Sequence, residues 1–235
     1  FYADTPEEIP AGFYEVNFRD SGWGMIDVPS NWEMRGYGDP LFRNVSAPFI
    51  ATPPYVPHDY NPAGAYRTSF TIPEAWEGEE VFLRFEKVAS ASFLWVNGHE
   101  VGYNEGAQEP AEYDITPYLR KGRNTLAMLV IKYSDGYYLE GQDYWRLAGI
   151  FDDVYVYSAP KTRLVDWYVT TDLDKQYRDA ELNIEATVRS YEATPLKTPV
   201  KVKAVLTDSN GKTVAELESP DASFESGSNT LTVNM

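Results

Sequence analysis

The sequence predicts an all-β protein made of two successive β-sandwiches, and three observations carry that reading. Aromatic residues make up 15% of the 235 positions, with 18 Tyr and 6 Trp, and are punctuated by 16 Gly and 16 Pro. Aromatic side chains suit a pleated, half-buried surface, while Gly and Pro mark frequent turns, so short strands are favoured over helices. Short alternating runs recur with turn signals between them, as in a sandwich. One pair, Asn97-Gly98, is the strongest two-residue hairpin signal in the chain.

Taken in order, residues 1–18 are rich in Pro and Glu and read as a connecting segment. Asp20-Ser21-Gly22 forms a turn into a short strand at 25–28, ended by Pro29. Trp23 and Trp32 are read as core anchors, because Trp is usually well buried. Residues 37–57 read as a loop, since Pro40, Pro48, Pro53, Pro54 and Pro57 bar continuous sheet pairing. Strands follow at 65–72, 81–85, 91–96 and 100–103. Thr116 before Pro117 caps one helical turn at 116–119. The run at 124–133, NTLAMLVIKY, is apolar enough for a central buried strand, and DVYVY at 153–157 closes the series.

A boundary is expected near 158–162, giving domains 1–159 and 160–235. In the second, alternation is cleaner, at 164–170, 180–189, 200–207, 213–217 and 230–233, with Ser209-Asn210-Gly211 as a hairpin loop. About 75 residues and five strands fall short of an immunoglobulin-like sandwich, which has about seven strands in roughly 100 residues. The second domain is therefore expected to be truncated.

A formal net charge of −16 argues against nucleic acid, which requires clustered Lys and Arg. No cysteine is present, so disulfides and thiolate metal sites are excluded. That suits cytoplasm or periplasm and chooses neither. No apolar run approaches the roughly 20 residues a spanning helix needs, and no membrane partner is expected. The chain opens at Phe1 without a Met or a signal-like segment, and the start is expected to have been removed. His58 and His99 lie far apart and offer no metal-ligand spacing. No Gly-rich phosphate loop, G-x-S-x-G elbow or H-E-x-x-H helix occurs.

Two stretches could carry chemistry. Residues 134–151, SDGYYLEGQDYWRLAGIF, set Tyr, Trp and Phe among Asp135, Glu140, Asp143 and Arg146. As structure, this is an irregular aromatic connection at a sandwich edge. As a site, it offers carboxylates to accept from sugar hydroxyls and flat faces for C–H stacking. Asn44-Val45-Ser46 fits the N-glycosylation pattern. Asn44 could equally stabilise a turn or bond a sugar hydroxyl.

Six stretches together resemble the N-terminal part of a family 2 glycoside hydrolase of the long bacterial β-galactosidase type. They are VPSNWEMRGYGDPLFRNV at 28–45, PPYVP at 53–57, NPAGAYRTSF at 61–70, FLWVNGHEVGY at 93–103, PAEYDIT at 110–116, and 134–151. The form QDYWRLAGIF is closer to β-galactosidases than to β-glucuronidases, and residues 160–235 are similar, more loosely, to the immunoglobulin-like domain that follows in the family.

The resemblance implies a jelly-roll (galactose-binding-like) β-sandwich, then an incomplete immunoglobulin-like one. It implies a non-catalytic fragment, because the family's two catalytic glutamates lie in a later (β/α)8 barrel. Phe1-Tyr2 is then the end of an early strand. Asn44, in its Asn-Val motif with Val45, and Asp143, in Q-D-x-W, match residues that contact galactose. Asp143 also matches a sodium ligand. Asp135 matches a magnesium ligand, with Glu105 standing where the family has a glutamine. Trp145, Tyr144 and Phe151 are read as packing that holds the loop. The implied partners are a β-galactoside or other β-linked sugar, the barrel of the same chain, and further copies of the intact enzyme. No cofactor is implied for the fragment itself. The rival readings are a stand-alone carbohydrate-binding module and a purely structural or oligomer-forming sandwich.

Overall fold

The computed structural model describes residues 1–43, 48–140, 144–193 and 196–235. The chain is all-β with open sheets. It divides into two compact units, Phe1–Ser158 and Ala159–Met235.

The first unit contains β1 (Tyr2–Ala3), β2 (Leu41–Arg43), β3 (Ala63–Thr71), β4 (Glu80–Phe85), β5 (Val88–Ala89) and β6 (Ala91–Val96). It continues with β7 (His99–Asn104), β8 (Ala111–Asp114), β9 (Arg123–Ile131), β10 (Tyr144–Arg146), β11 (Gly149–Ile150) and β12 (Val154–Ala159). One sheet has the order β1-β3-β9-β6-β7, and a second has the order β12-β4-β8. Two small ladders, β10-β2 and β11-β5, complete the unit. The main core lies between the two larger sheets: Val81, Leu83 and Phe85 of β4 meet Leu94 and Val96 of β6 and Met128 and Val130 of β9.

β9 is apolar from Leu126 to Ile131 because that part is covered on both faces. Met128 and Val130 face that core, while Ala127 and Leu129 belong to a second cluster with Phe13, Ala65, Trp95 and Trp23. Residues 1–18 are thus more than a connection. They contribute β1 and send Phe13, 5% exposed, onto the outer face of the five-stranded sheet. Asn97-Gly98 closes the β6–β7 hairpin with both residues at positive φ, 53° and 85°, as a type I′ turn requires. The Asn97 amide donates to the carbonyl of Tyr118 and to Oδ1 of Asn124, both at 2.8 Å. Asn124 is fully buried, and its Nδ2 donates in turn to the carbonyls of Arg120 and Gly122. A satisfied polar hub of this kind is tolerable in a core where a half-satisfied one is not.

Two expectations need correction. Residues 25–28, expected as a short strand, form none, since among the described residues no strand pairs with them. The Pro-rich loop, conversely, contains β2, which forms only because a segment about 100 residues away supplies β10 as its partner. Trp32 is the expected core anchor at 2% exposure, whereas Trp23 is partly exposed on the outer face.

In the second unit, β13 (Thr162–Leu173), β14 (Ala180–Ser190) and β17 (Thr230–Asn234) form one sheet, and β15 (Lys203–Thr207) pairs with β16 (Thr213–Glu218). The strand expected from residue 200 starts at Lys203, and Val200 makes only an isolated bridge to Ala222. Ala186, Val188 and Val233 are buried, but Trp167, Tyr168, Val205 and Val214 are exposed.

Among the described residues, a buried ion pair links remote parts of the first unit. Lys132 Nζ lies 2.6 Å from Glu33 Oε1, with side-chain exposures of 6% and 0% respectively. The other oxygen, Glu33 Oε2, accepts from the Ala148 amide at 3.0 Å. Removing one partner strands a charge in a low-dielectric interior, so Glu33→Ala or Lys132→Ala should each cost about 3–5 kcal/mol. The double replacement Glu33→Leu with Lys132→Met should cost clearly less than the two single losses summed, as read by urea denaturation. Gly64 supplies a second test. A Cβ there would lie 2.6 Å from Trp32 Cζ3, so Gly64→Ala should lower stability by about 1–3 kcal/mol through overpacking, measurable as a drop in Tm.

Candidate functional site

The β2–β10 ladder pairs Leu41 with Arg146, Phe42 with Trp145 and Arg43 with Tyr144. Arg43 and Tyr144 therefore end the ladder together. The chain positions that follow directly are 44 on one strand and 143 on the other. Asn44, Val45 and Asp143, the three residues expected to meet sugar, lie outside the described residues. The strand ends that lead to them are nevertheless brought together, from segments that are remote in sequence.

The ladder is held from below. Arg146 is buried, and its guanidinium carbon sits 4.9 Å from the centre of the Tyr137 ring, a cation–π arrangement strengthened by loss of water. Tyr137 meets Tyr133 edge-on at 4.9 Å, and Phe49 meets Tyr133 at 5.0 Å and Tyr138 at 5.9 Å. The Tyr138 hydroxyl donates to the Tyr55 carbonyl at 2.6 Å and accepts from the Thr52 amide at 3.2 Å. This cluster joins the loop after residue 48 to Tyr137–Glu140, a single helical turn. Tyr133 is pinned as well, because Asn61 Nδ2 donates to its carbonyl and Asn61 Oδ1 accepts from its amide, at 2.8 and 2.9 Å. Aromatic packing does hold this loop, but through Tyr133, Tyr137 and Phe49 more than through Trp145. Trp145 is 50% exposed and meets Phe42, 52% exposed, edge-on at 5.6 Å. Phe151 is partly buried, and the Tyr144 side chain lies outside what is described.

Glu105 and Asp135 come together. The Glu105 carboxyl lies near Tyr103 and Asp135, and both act on its protonation. Tyr103, the largest single influence, pulls the Glu105 pKa down, but desolvation and the Asp135 and Glu140 carboxylates outweigh it, and the net direction is up. Tyr103 is also raised, by desolvation and then by Glu105. Glu140 turns its own carboxylate to the Ala107 amide, at 2.8 Å. Two crowded carboxylates are the right donor type for a hard cation, which takes six or more oxygen ligands. Among the described residues no group of three or more His, Asp or Glu side chains converges on one point. The pair therefore fits as part of such a site and does not complete it.

Sequence reading named Arg146 but singled out neither Glu33 nor Lys132, and it gave none of the three its partner. Glu33 and Arg146 fall inside the motifs quoted above, but no spacing marks them, since their partners lie far away in the chain.

Comparison with known proteins places this arrangement. Residues 1–160 match the family described as glycosyl hydrolases family 2, sugar binding domain. A β-galactosidase of Photobacterium profundum is 48% identical over 191 residues, covering 81% of this chain and 18% of the relative. A β-galactosidase of Vibrio cholerae is 42% identical over 212 residues, covering 90% and 20%. The chain thus spans about a fifth of the length of the curated relatives it matches. Among solved structures, a Bacteroides uniformis β-glucuronidase superposes with a TM-score of 0.76 at 20% identity, covering 100% of this chain and 26% of that one. A putative β-galactosidase from Bacteroides fragilis gives 0.69 at 20% identity, covering 91% and 30%. At that identity the structures speak for the fold alone. The matched motifs, the all-β fold and the family match over two thirds of the sequence lead to one conclusion: the chain belongs to glycosyl hydrolase family 2, as its sugar binding domain with a further β unit.

Proposed function

We propose that this chain is the non-catalytic N-terminal portion of a β-galactosidase, and that it lends Asn44 and Asp143 to the wall of an active site completed by a catalytic barrel. One observation carries the reading. The β2–β10 register pairs Arg43 with Tyr144, so the two motif-bearing segments, remote in sequence, are brought side by side. A carboxylate at 143 can accept from sugar hydroxyls and also ligate sodium, a hard cation. An amide at 44 can both donate and accept. Curated β-galactosidases at 42–48% identity support the substrate class, terminal β-galactosides. The reaction proceeds with retention through two closely spaced carboxylates, which belong to the barrel, so this chain by itself cleaves nothing.

A second reading rests on the exposed Phe42–Trp145 pair, which a free-standing carbohydrate-binding module would use as a stacking surface. Retention of the 235-residue chain on an immobilised polysaccharide, lost in Trp145→Ala, would favour it.

A panel of aryl β-glycosides offered to this chain and to the longer enzyme should show turnover of the galactoside by the longer enzyme alone. Turnover by the 235-residue chain would overturn the proposal. In the longer enzyme, Asp143→Ala removes a hydrogen bond to a charged group worth about 1.5–3 kcal/mol, so kcat/KM should fall roughly ten- to a hundredfold. We also propose Glu105 and Asp135 as a partial magnesium site, where a bound ion would offset the repulsion between the two carboxylates. Calorimetric titration of this chain with Mg2+ should give weak saturable binding that disappears in Glu105→Gln and in Asp135→Asn. Equal heats in all three proteins would remove the assignment.

A further inference from the structure

Two Asn-Gly pairs occur in the chain, Asn97-Gly98 and Asn210-Gly211. Each lies in the turn of a β-hairpin, β6–β7 in the first unit and β15–β16 in the second. Asn is a thermolabile residue, and a following Gly makes it more so. The amide nitrogen of Gly, with no side chain beside it and a permissive backbone, can reach the Asn side-chain carbonyl carbon. Whether it does depends on the freedom of the Asn amide to rotate, on access to the Gly nitrogen, and on room for the chain to leave its turn conformation. The two sites differ in all three.

At Asn97 the side chain is locked. Its Oδ1 accepts from the Thr125 amide at 2.9 Å, and its Nδ2 donates to the Tyr118 carbonyl and to Asn124 Oδ1, both at 2.8 Å. Turning Cγ toward the Gly98 nitrogen would break all three bonds and take a partner from the buried Asn124, a loss that water does not repair. Asn97 and Gly98 are half-buried, and a Cβ on Gly98 would lie 4.0 Å from the Tyr14 carbonyl oxygen and from Glu15 Cα. Asn210 and Gly211, by contrast, are both exposed. The Asn210 side-chain amide makes no hydrogen bond among the described residues. The loop is held instead by Asp208, whose Oδ1 accepts from the Asn210 and Lys212 amides at 2.9 Å and whose carbonyl accepts from the Gly211 amide at 3.0 Å. Gly211, at φ 80°, would meet nothing within 4 Å on gaining a Cβ. Its nitrogen is thus restrained by one bond at a solvent-exposed loop tip, where local opening costs least.

We propose that Asn210 is a site of spontaneous deamidation, with water as the co-reactant, and that Asn97 is protected from the same reaction by its three hydrogen bonds. The Gly211 amide loses its proton to hydroxide, and its nitrogen attacks Asn210 Cγ. The new N–Cγ bond closes a succinimide ring as the Cγ–Nδ2 bond breaks, and Nδ2 takes protons from solvent and leaves as ammonia. Water then opens the ring at either carbonyl, giving Asp or isoaspartate at position 210. The sum is Asn plus water to Asp plus ammonia, with no oxidation or reduction. The product adds one negative charge to a chain already at −16. The isoaspartate form also inserts a methylene into the backbone of a loop whose ends are set by the Thr207↔Thr213 pair, so the bonds from residues 210–212 to Asp208 must rearrange.

The test incubates the full 235-residue chain at mildly alkaline pH and follows both sites by peptide mapping with tandem mass spectrometry. Asn210 should convert about tenfold or more faster than Asn97, in step with an acidic species seen on anion exchange. In concentrated urea, where neither hairpin persists, the two sites should convert at similar rates. Asn210→Ser should abolish the acidic species and leave the urea midpoint of the chain unchanged. Equal rates in the folded chain, or a faster Asn97, overturn the proposal. The same large ratio in urea does so too, because neighbouring sequence and not the fold would then set the difference. Undiminished formation of the acidic species in Asn210→Ser likewise removes the assignment.

Discussion

The Glu33–Lys132 pair is the interaction on which the organisation of the first unit depends. Lys132 follows β9, the strand covered on both faces. Glu33 sits in the short 3-10 turn after Trp32, and its second oxygen holds the Ala148 amide just before β11. Three remote segments are thereby fixed to one carboxylate. Hydrophobic burial supplies most of the stabilisation of such a unit, but it is non-directional and would accept many arrangements of these loops. A desolvated charge pair with one further donor accepts few, which suits a device that sets geometry more than it adds stability.

The loop geometry follows from that anchor. Arg146 lies two residues before Ala148 and three after Asp143, and its guanidinium rests over Tyr137, whose ring meets Tyr133, the residue after Lys132. The ion pair and the aromatic cluster thus hold neighbouring points of the same segment from two sides. The short β2–β10 ladder, three residue pairs long, is too small to persist by itself. Its support comes from the buried Arg146 and the aromatic cluster beside it.

How much was legible in the sequence differs from element to element. The β6–β7 hairpin could be read because Asn97-Gly98 is a local signal with a local cause, the positive φ of a tight turn. β9 could be read because burial on both faces demands an unbroken apolar run. β2 could not, because Leu41–Arg43 carries no strand pattern and pairs only through a partner about 100 residues away. Residues 25–28 failed in the opposite sense, since a turn before them and Pro29 after them suggested a strand that has no ladder partner among the described residues. In the candidate site, motif resemblance singled out Asn44, Val45 and Asp143 and named Glu105 together with Asp135, whereas no local pattern in either stretch marks the two carboxylates as neighbours.

By itself, then, the sequence determined the all-β class, the strands with strong local alternation and the family, because these rest on short-range periodicity and on motifs contiguous in the chain. Tertiary structure decided which segments pair and which charges are buried together. Those outcomes depend on contacts between residues far apart in the chain, for which a single sequence carries no local signal.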